Sequence, residues 1–488
     1  MKKLTSFFII MNCVFGMNAH AQNTGNTQTL KDVYKDAFLM GTAVTPAITS
    51  GHDKATQEIV IKQFNSITPE NVMKAALINP KPGVYNFGPA DDYVAFGEKH
   101  HLFIMGHTLV WHNQCPDWFF TNANGKPNTK TLKNVYKDAF LIGVAVNPAI
   151  ISGRDKAAQE IVINQFNSIT PENVMKAALI NPKPGVYNFG SADDYVAFGE
   201  KHHMFIMGHT LVWHNQCPLW FFTNAEGKPN TKEEQIERLR SHIKAVAGRY
   251  AGRVNAWDVV NEVIDNDGSY RENTSWVKAF GNGDTLVSYA FKFAAQYAPN
   301  TELYYNDFNA WRPTKRDGIV RMIKMLQKQG IRIDGVGMQG HWGLDYPKTK
   351  YIEDAIDAYA ACGIKVMITE LDVDVLPLTK EGQIIGQGMA DKQFQLEEFK
   401  TFLDPYQHGL PDSMQNVLAK RYAELFSMFY KRRDKIARVT LWGVNDGMSW
   451  KNGYPIPGRI NYPLLWDRNL EPKPALEAVL NVPAMMKN

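Results

Sequence analysis

The sequence predicts an α/β protein whose main body is a closed (β/α)8 (TIM) barrel, preceded by a partial duplicate of that barrel's first three β/α units. Three observations predict it. From residue 132 onward, short apolar, β-branched runs alternate eight times with helix-patterned segments, the pattern of parallel strands buried on both faces. Polar residues gather where each run ends, which is where a barrel of eight such units carries its site. Finally, Leu30 to Thr131 recurs 102 residues later as Leu132 to Glu233, with about nine positions in ten identical.

The elements follow in order. Phe140 to Val146 reads as the first strand, with a helix at Asp155 to Phe166. The second strand, Asn167 to Thr170, runs into Pro171-Glu172-Asn173 and is followed by a helix at Ala192 to His202. Met204 to Trp213 is the third strand. The helix after it, Glu233 to Tyr250, is opened by Thr231 as N-cap with Glu234 three residues on, a capping box. Val254 to Val260 is the fourth strand, ending in Asn261-Glu262, and Thr285 to Tyr297 is its helix. The fifth strand, Glu302 to Tyr305, precedes Asn306-Asp307 and a helix at Lys315 to Gln329 that Gly330 stops. Ile333 to Met338 is the sixth strand, ending in Gln339-Gly340-His341, with a helix at Tyr351 to Cys362. The seventh, Val366 to Thr369, delivers Glu370. A long connection from Asp374 to about Ser413 leads to a helix at Val417 to Arg432 and the eighth strand, Ile436 to Trp442.

Two strands therefore end in a glutamate, Glu262 and Glu370. A carboxylate at the end of a buried strand is costly unless it is paired or used. Two of them facing one another are the equipment of a glycosidase. Composition agrees. Hydrophobic residues at 44% and aromatics at 12% describe a globular chain with a sizeable core. The net charge of +4 is spread without the lysine and arginine clusters that nucleic acid requires. Eleven tryptophans and twenty tyrosines suit stacking on sugar rings, although most belong in the core. The histidines show no metal-ligand spacing, so neither metal nor cofactor is expected.

Residues 1–21 read as a signal peptide: Lys2 and Lys3, an apolar run from Phe7 to Met11, and Ala19-His20-Ala21 as cleavage site. Asn12 before Cys13 argues against a lipoprotein anchor. No segment is long and apolar enough to span a bilayer, so a secreted or periplasmic protein is expected. Cys115, Cys217 and Cys362 remain as free, buried thiols.

The motifs W-D-V-V-N-E, G-H-T-L-V-W-H, Y-N-D-F-N, Q-G-H-W, I-T-E-L-D and L-W-G-V-N-D occur in that order. Together they resemble glycoside hydrolase family 10, the endo-β-1,4-xylanases, over about Val135 to Leu480. The resemblance implies a retaining hydrolysis of xylan and xylo-oligosaccharides. It makes Glu262 the general acid/base and Glu370 the nucleophile, roughly 5–5.5 Å apart. Glu370 then has to react as a carboxylate, with His341 as its donor, while Glu262 has to carry a proton. The resemblance further implies that Asn261 meets the sugar 2-hydroxyl and that Glu172, Asn173 and Lys176 hold the neighbouring glycone sugar. Lys176, His209 and Gln339 would bind hydroxyls near the cleaved bond, and Trp213, Trp442 and Trp450 would shape the site. Tyr305 is a weaker binding candidate, with packing within its strand as the equal alternative. Asp258, Asp307, Asp372 and His214 would support these residues from behind. Xylose over glucose would follow from a crowded site around Trp450, with no room for a hydroxymethyl group.

The duplicate departs from the family. Residues 30–131 carry Glu70, Asn71, Lys74, His107 and Trp111 but neither catalytic glutamate. Three strands alone leave open sheet edges and an uncovered apolar face. The second copy adjoins the fourth strand, so residues 132–483 are expected to form the catalytic barrel. A monomer is expected, with a domain-swapped dimer as the alternative. Two other functions compete: a non-catalytic xylan-binding protein with a ruined barrel, and a related glycosidase such as an endoglucanase or a transglycosylating enzyme.

Overall fold

The computed structural model describes residues 28–109, 111, 113–120, 130–376, 403–454 and 457–486. The expected signal peptide and most of the connection after the seventh barrel strand lie outside these residues. The chain divides into two compact units, one ending at Thr129 and the other beginning at Lys130.

In the first unit, β1 (Gly41–Val44), β2 (Ser66–Pro69) and β3 (Phe103–Ile104) form a parallel sheet in that order. Its core is small, with Val44, Val60, Ile67, Tyr93 and Phe96 among its buried members.

The second unit is the barrel. Its strands are β4 (Leu141–Val146), β5 (Ser168–Pro171), β6 (Phe205–Trp213), β7 (Ala256–Asn261), β8 (Glu302–Asp307), β9 (Gly335–Met338), β10 (His341–Gly343), β11 (Lys365–Asp374) and β12 (Ile436–Leu441). Each pairs in parallel with the next around the ring. β11 pairs with both β9 and β12, and β12 with β4, which closes eight strands. The short β10 continues the line of β9 and pairs with the far end of β11.

Local sequence explains the elements. Leu-Ile-Gly-Val-Ala-Val in β4 is apolar throughout, and all but its first residue are buried. The helix Lys232–Arg249 opens with the expected capping box: the Glu234 amide donates to Thr231 Oγ1 at 3.2 Å, and the Thr231 amide to Glu234 Oε2 at 2.7 Å. The same helix buries Leu239, Ile243 and Val246, one stripe at helical spacing. Gly337 in β9 lies so close to β8 that a Cβ there would meet Asn306 Oδ1 at 2.5 Å; the missing side chain makes room for Asn306 inside the barrel.

Three strands run longer into the site than their apolar runs suggested. β8 continues to Asp307, β11 to Asp374, and β7 includes Asn261. Neighbouring strands satisfy their backbone, so polar side chains do not end them. The register also slips in β6 between His209 and Val212, in β7 between Asp258 and Val260, and in β11 between Ile368 and Leu371. Such bulges re-aim side chains at a barrel rim. Cys115, Cys217 and Cys362 are free but only partly buried. Among the described residues no helix is long and apolar enough to cross a membrane.

Candidate active site

A cleft of about 760 Å³ opens at the C-terminal ends of the barrel strands. It brings together twelve of the thirteen residues singled out in the sequence, all except Tyr305.

Glu262 follows directly on β7 with φ +59°, the left-handed region. That conformation is costly for a residue with a side chain and persists where its surroundings fix it. Its amide donates to the Asn306 carbonyl at 2.9 Å. Trp213 Nε1 donates to Glu262 Oε2 at 2.8 Å, and Gln339 Nε2 donates to Oε1 at 2.9 Å. Both donors are neutral.

Glu370 lies within β11 and is 5% exposed. Asn306 Nδ2 donates to its Oε1 at 2.8 Å, and His341 Nε2 meets its Oε2 at 3.1 Å. Burial pushes the Glu370 carboxyl up, but the hydrogen bond and charge of His341, with His209 and Asn306 beyond, outweigh it, so the net displacement is downward. His341 turns its other nitrogen to Asp372, Nδ1 to Oδ2 at 3.0 Å. Burial works against the imidazolium, yet Asp372 and Glu370 raise it to about 9. Asp372 in turn accepts from Trp450 Nε1 at 2.9 Å and has Lys451 Nζ 3.6 Å from its Oδ1. Glu370 is thus drawn toward its carboxylate form and clamped, while the two hydrogen bonds to Glu262 come from neutral donors and the Lys176 ammonium acts on it only through its charge.

The remaining residues form the walls. Lys176 Nζ donates to Asn173 Oδ1 at 3.1 Å and lies 4.7 Å from the centre of the Trp213 ring. Burial lowers the Lys176 ammonium, against the charges of Glu370, Glu262 and Glu172. Burial likewise raises Glu172, with Lys176 pulling the other way. His209 is fixed by Asp258, Nδ1 to Oδ2 at 2.9 Å, and stands edge-on to Trp442 at 5.6 Å between ring centres. Asn261 Oδ1 accepts from Asn306 Nδ2 at 2.9 Å. Trp450 is 44% exposed at the cleft edge, its ring 5.0 Å from that of His341.

Tyr305 is the correction. Of its two readings, a weaker substrate contact or plain strand packing, the structure supports no contact with the cleft: the residue is fully buried. Its hydroxyl accepts from the amides of Val263 and Ile264 at 3.1 and 3.0 Å and donates to Asp307 Oδ2. Three partners already saturate the oxygen.

Two residues that hold the carboxylates of the site were missed. Asn306 is fully buried and donates to Glu370 and Asn261, while Thr369 Oγ1 donates to its Oδ1 at 2.6 Å. Ending the fifth strand at Tyr305 hid it; its signal was a polar residue inside the Y-N-D-F-N motif. Lys451, 3.4 Å from Asp374 Oδ2 and beside Asp372, was hidden because its partners sit on β11, far away in sequence.

The comparisons agree with this geometry. The sequence profile of glycosyl hydrolase family 10 matches twice, over residues 29–134 and 131–482. Endo-1,4-beta-xylanase A of Xylanibacter ruminicola is 41% identical over 355 residues, which cover 73% of this chain and 94% of that protein. A beta-1,4-xylanase of Dictyoglomus thermophilum is 38% identical, covering 71% of this chain and 89% of the relative. Among solved structures, a GH10 endoxylanase retrieved from a sugarcane soil metagenome superposes with a TM-score of 0.67 at 43% identity, over 73% of this chain and all of that one. A xylanase from Paenibacillus barcinonensis, complexed with a conduramine derivative, gives 0.63 at 33% identity, over 72% of this chain and 98% of its own. A closed barrel with paired glutamates at its mouth, matched along almost its whole length by these proteins, means that the chain belongs to glycosyl hydrolase family 10.

Proposed function

We propose that this protein is a secreted or periplasmic retaining endo-β-1,4-xylanase, acting through Glu262 and Glu370. The observation that carries the reading is the unequal holding of the two carboxyls. Glu370 meets His341 Nε2 at 3.1 Å and is displaced downward by it, whereas the hydrogen bonds to Glu262 come from the neutral Trp213 and Gln339.

In the first step Glu370 attacks the anomeric carbon and the glycosidic C–O bond breaks. The proton of Glu262 passes to the leaving oxygen. A glycosyl ester on Glu370 results, and loss of its negative charge eases ionisation of Glu262. In the second step Glu262 takes a proton from water, whose oxygen attacks the same carbon. The ester bond breaks and Glu370 returns as a carboxylate. Asn306 bridges Glu370 to Asn261, so a sugar 2-hydroxyl at Asn261 would be sensed beside the nucleophile. Glu172, Asn173 and Lys176 serve the next sugar. The xylanase relatives support xylan as substrate, and the exposed Trp450 supports a stacking wall. The catalytic domain is residues 132–483, and the first copy is dispensable for it.

The test combines reducing-sugar release from xylan with the anomeric configuration of the first product by proton NMR. Release from xylan well above release from β-glucan, with the β-anomer formed first, is the expected result. An α-anomer formed first, or preference for β-glucan, overturns the reading.

A further inference from the structure

Glu262 sits in a backbone conformation that its own residue type does not favour, at φ +59°. What fixes the turn after it lies outside the cleft. The amides of the next two residues, Val263 and Ile264, both donate to one oxygen, the Tyr305 hydroxyl, at 3.1 and 3.0 Å. That hydroxyl spends its own proton on Asp307 Oδ2. The other Asp307 oxygen accepts from Lys315 Nζ at 2.7 Å. Tyr305, Asp307 and Lys315 are all fully buried, and Phe308 covers the lysine, its ring centre 3.9 Å from Nζ. A buried ion pair is seldom retained for stability alone. Here its carboxylate orients a hydroxyl whose lone pairs then point at two amides. On the near side the Glu262 amide is held by the Asn306 carbonyl at 2.9 Å. The turn is gripped from both ends.

We propose that Tyr305 is a positioning residue for the acid/base, aiming the Glu262 carboxyl through the backbone with Asp307 and Lys315 as its support. The inference rests on the reading of Glu262 as acid/base. General acid catalysis depends on sub-ångström placement of the proton donor. It matters most when the leaving group is a poor one. Loss of the Tyr305 oxygen therefore changes the leaving-group dependence of the reaction, which a general loss of structure would not.

The experiment compares Tyr305→Phe with the unaltered full chain on two substrates, xylohexaose and 2,4-dinitrophenyl β-xylobioside. The dinitrophenolate leaves without protonation, and kcat/KM reports bond cleavage only. The expected result is a fall of roughly tenfold or more in kcat/KM on xylohexaose and a change under about threefold on the dinitrophenyl substrate, with inhibition by xylobiose unchanged. Equal falls on both substrates, or no fall on either, overturn the proposal. Should Tyr305→Phe fail to fold by circular dichroism, Asp307→Asn, which leaves the tyrosine in place but weakens its anchor, takes over with the same criterion at a smaller split. Glu262→Ala runs alongside. If it too loses both substrates equally, the acid/base reading of Glu262 is what fails; if it shows the split and Tyr305→Phe does not, the positioning role fails.

Discussion

The nine residues Phe-Ile-Met-Gly-His-Thr-Leu-Val-Trp occur twice, and they fold differently. At Phe205–Trp213 they form the full-length strand β6, with β5 on one side and β7 on the other. At residues 103–111 the strand stops after Ile104. The difference is a neighbour: β7 supplies backbone partners out to Trp213, whereas the described residues of the first unit include no fourth strand. Several contacts within a copy recur in both. Tyr93 donates to the carbonyls of Ile67 and Met105, and Tyr195 to those of Ile169 and Met207. Tyr34 stacks on Phe38 at 5.0 Å, and Tyr136 on Phe140 at 5.1 Å. Contacts beyond the copy separate them. Tyr136 is fully buried, with its hydroxyl on the Val479 carbonyl, while Tyr34 is 39% exposed. One sequence thus specifies a local unit and leaves its completion to the rest of the barrel.

The largest effect that can break this comparison is catalytic. The first copy repeats the cradle, with Lys74 Nζ 2.9 Å from Asn71 Oδ1 and 4.5 Å from the Trp111 ring centre, but it holds neither glutamate. Glu370→Ala in the full chain is expected to lower xylan hydrolysis by roughly four orders of magnitude or more, measured as reducing sugar. Substantial residual activity would overturn the proposed role of Glu370 as nucleophile.

Next in size is folding. Residues 28–131 expressed alone are expected to show no cooperative thermal transition by circular dichroism, because three strands with a small core fall short of independent stability. A sharp transition would show that the copy needs no barrel. Deleting residues 132–233, which joins the first copy to the fourth strand, is expected to restore a folded, active chain. Deleting 30–131 should leave activity within about twofold of the full chain, since the barrel unit then loses only Lys130 and Thr131, and Thr29 takes the place of Thr131 before Leu132.

A third test uses pH. His341 is raised from 6.5 to about 9 by its two carboxylates, so its stabilising contribution is complete below pH 6.5 and disappears as pH rises through 9. Glu370 is displaced downward, so its contribution is present above its ordinary range and is lost as pH falls through the lowered value. The first copy has no counterpart of His341. The melting temperature of the full chain and of the chain from Leu132 should therefore fall in parallel between pH 6.5 and 9, and His341→Gln should flatten both curves. A fall confined to the full chain would place the titrating group in the first copy.

How much of this was legible follows the same division. Local signals sufficed for the alternation of strands and helices, the capping box at Thr231 and the polar strand ends. The closing of eight strands followed from their number. Strand lengths were misjudged wherever a partner strand, rather than apolar character, sustains the ladder, as at Asn306-Asp307 and from Glu370 to Asp374. Glu262, Glu370 and His341 could be singled out because each stands in a motif of its own, and the structure gathers the three in one cleft. Lys451 and Asn306 act through partners on other strands, and Tyr305 faces away from the cleft because its hydroxyl serves the next turn of backbone. No spacing along one strand displays such relations.

The smallest effect separates the copies at one position. Val144 in β4 is fully buried in the barrel, and its counterpart in β1 is Thr42, which is only half-buried. Valine and threonine have nearly the same shape, so the exchange isolates the hydroxyl. In the barrel that hydroxyl would lose water, and a buried hydroxyl without a full partner costs about 1–3 kcal/mol. Val144→Thr should therefore lower the melting temperature of the chain by a few degrees, on the order of 2–4 °C per kcal/mol or less for a unit of this size. Thr42→Val, at a site that solvent already reaches, should change it by less than about 1 °C. The pair also bears on the deletion of residues 132–233, because that chain puts Thr42 where Val144 had been. Adding Thr42→Val to the deletion should recover part of the stability lost. If the two substitutions instead had equal effects in the full chain, the first copy would be as closely packed as the barrel, and the contrast between one unit completed and one left open would not hold.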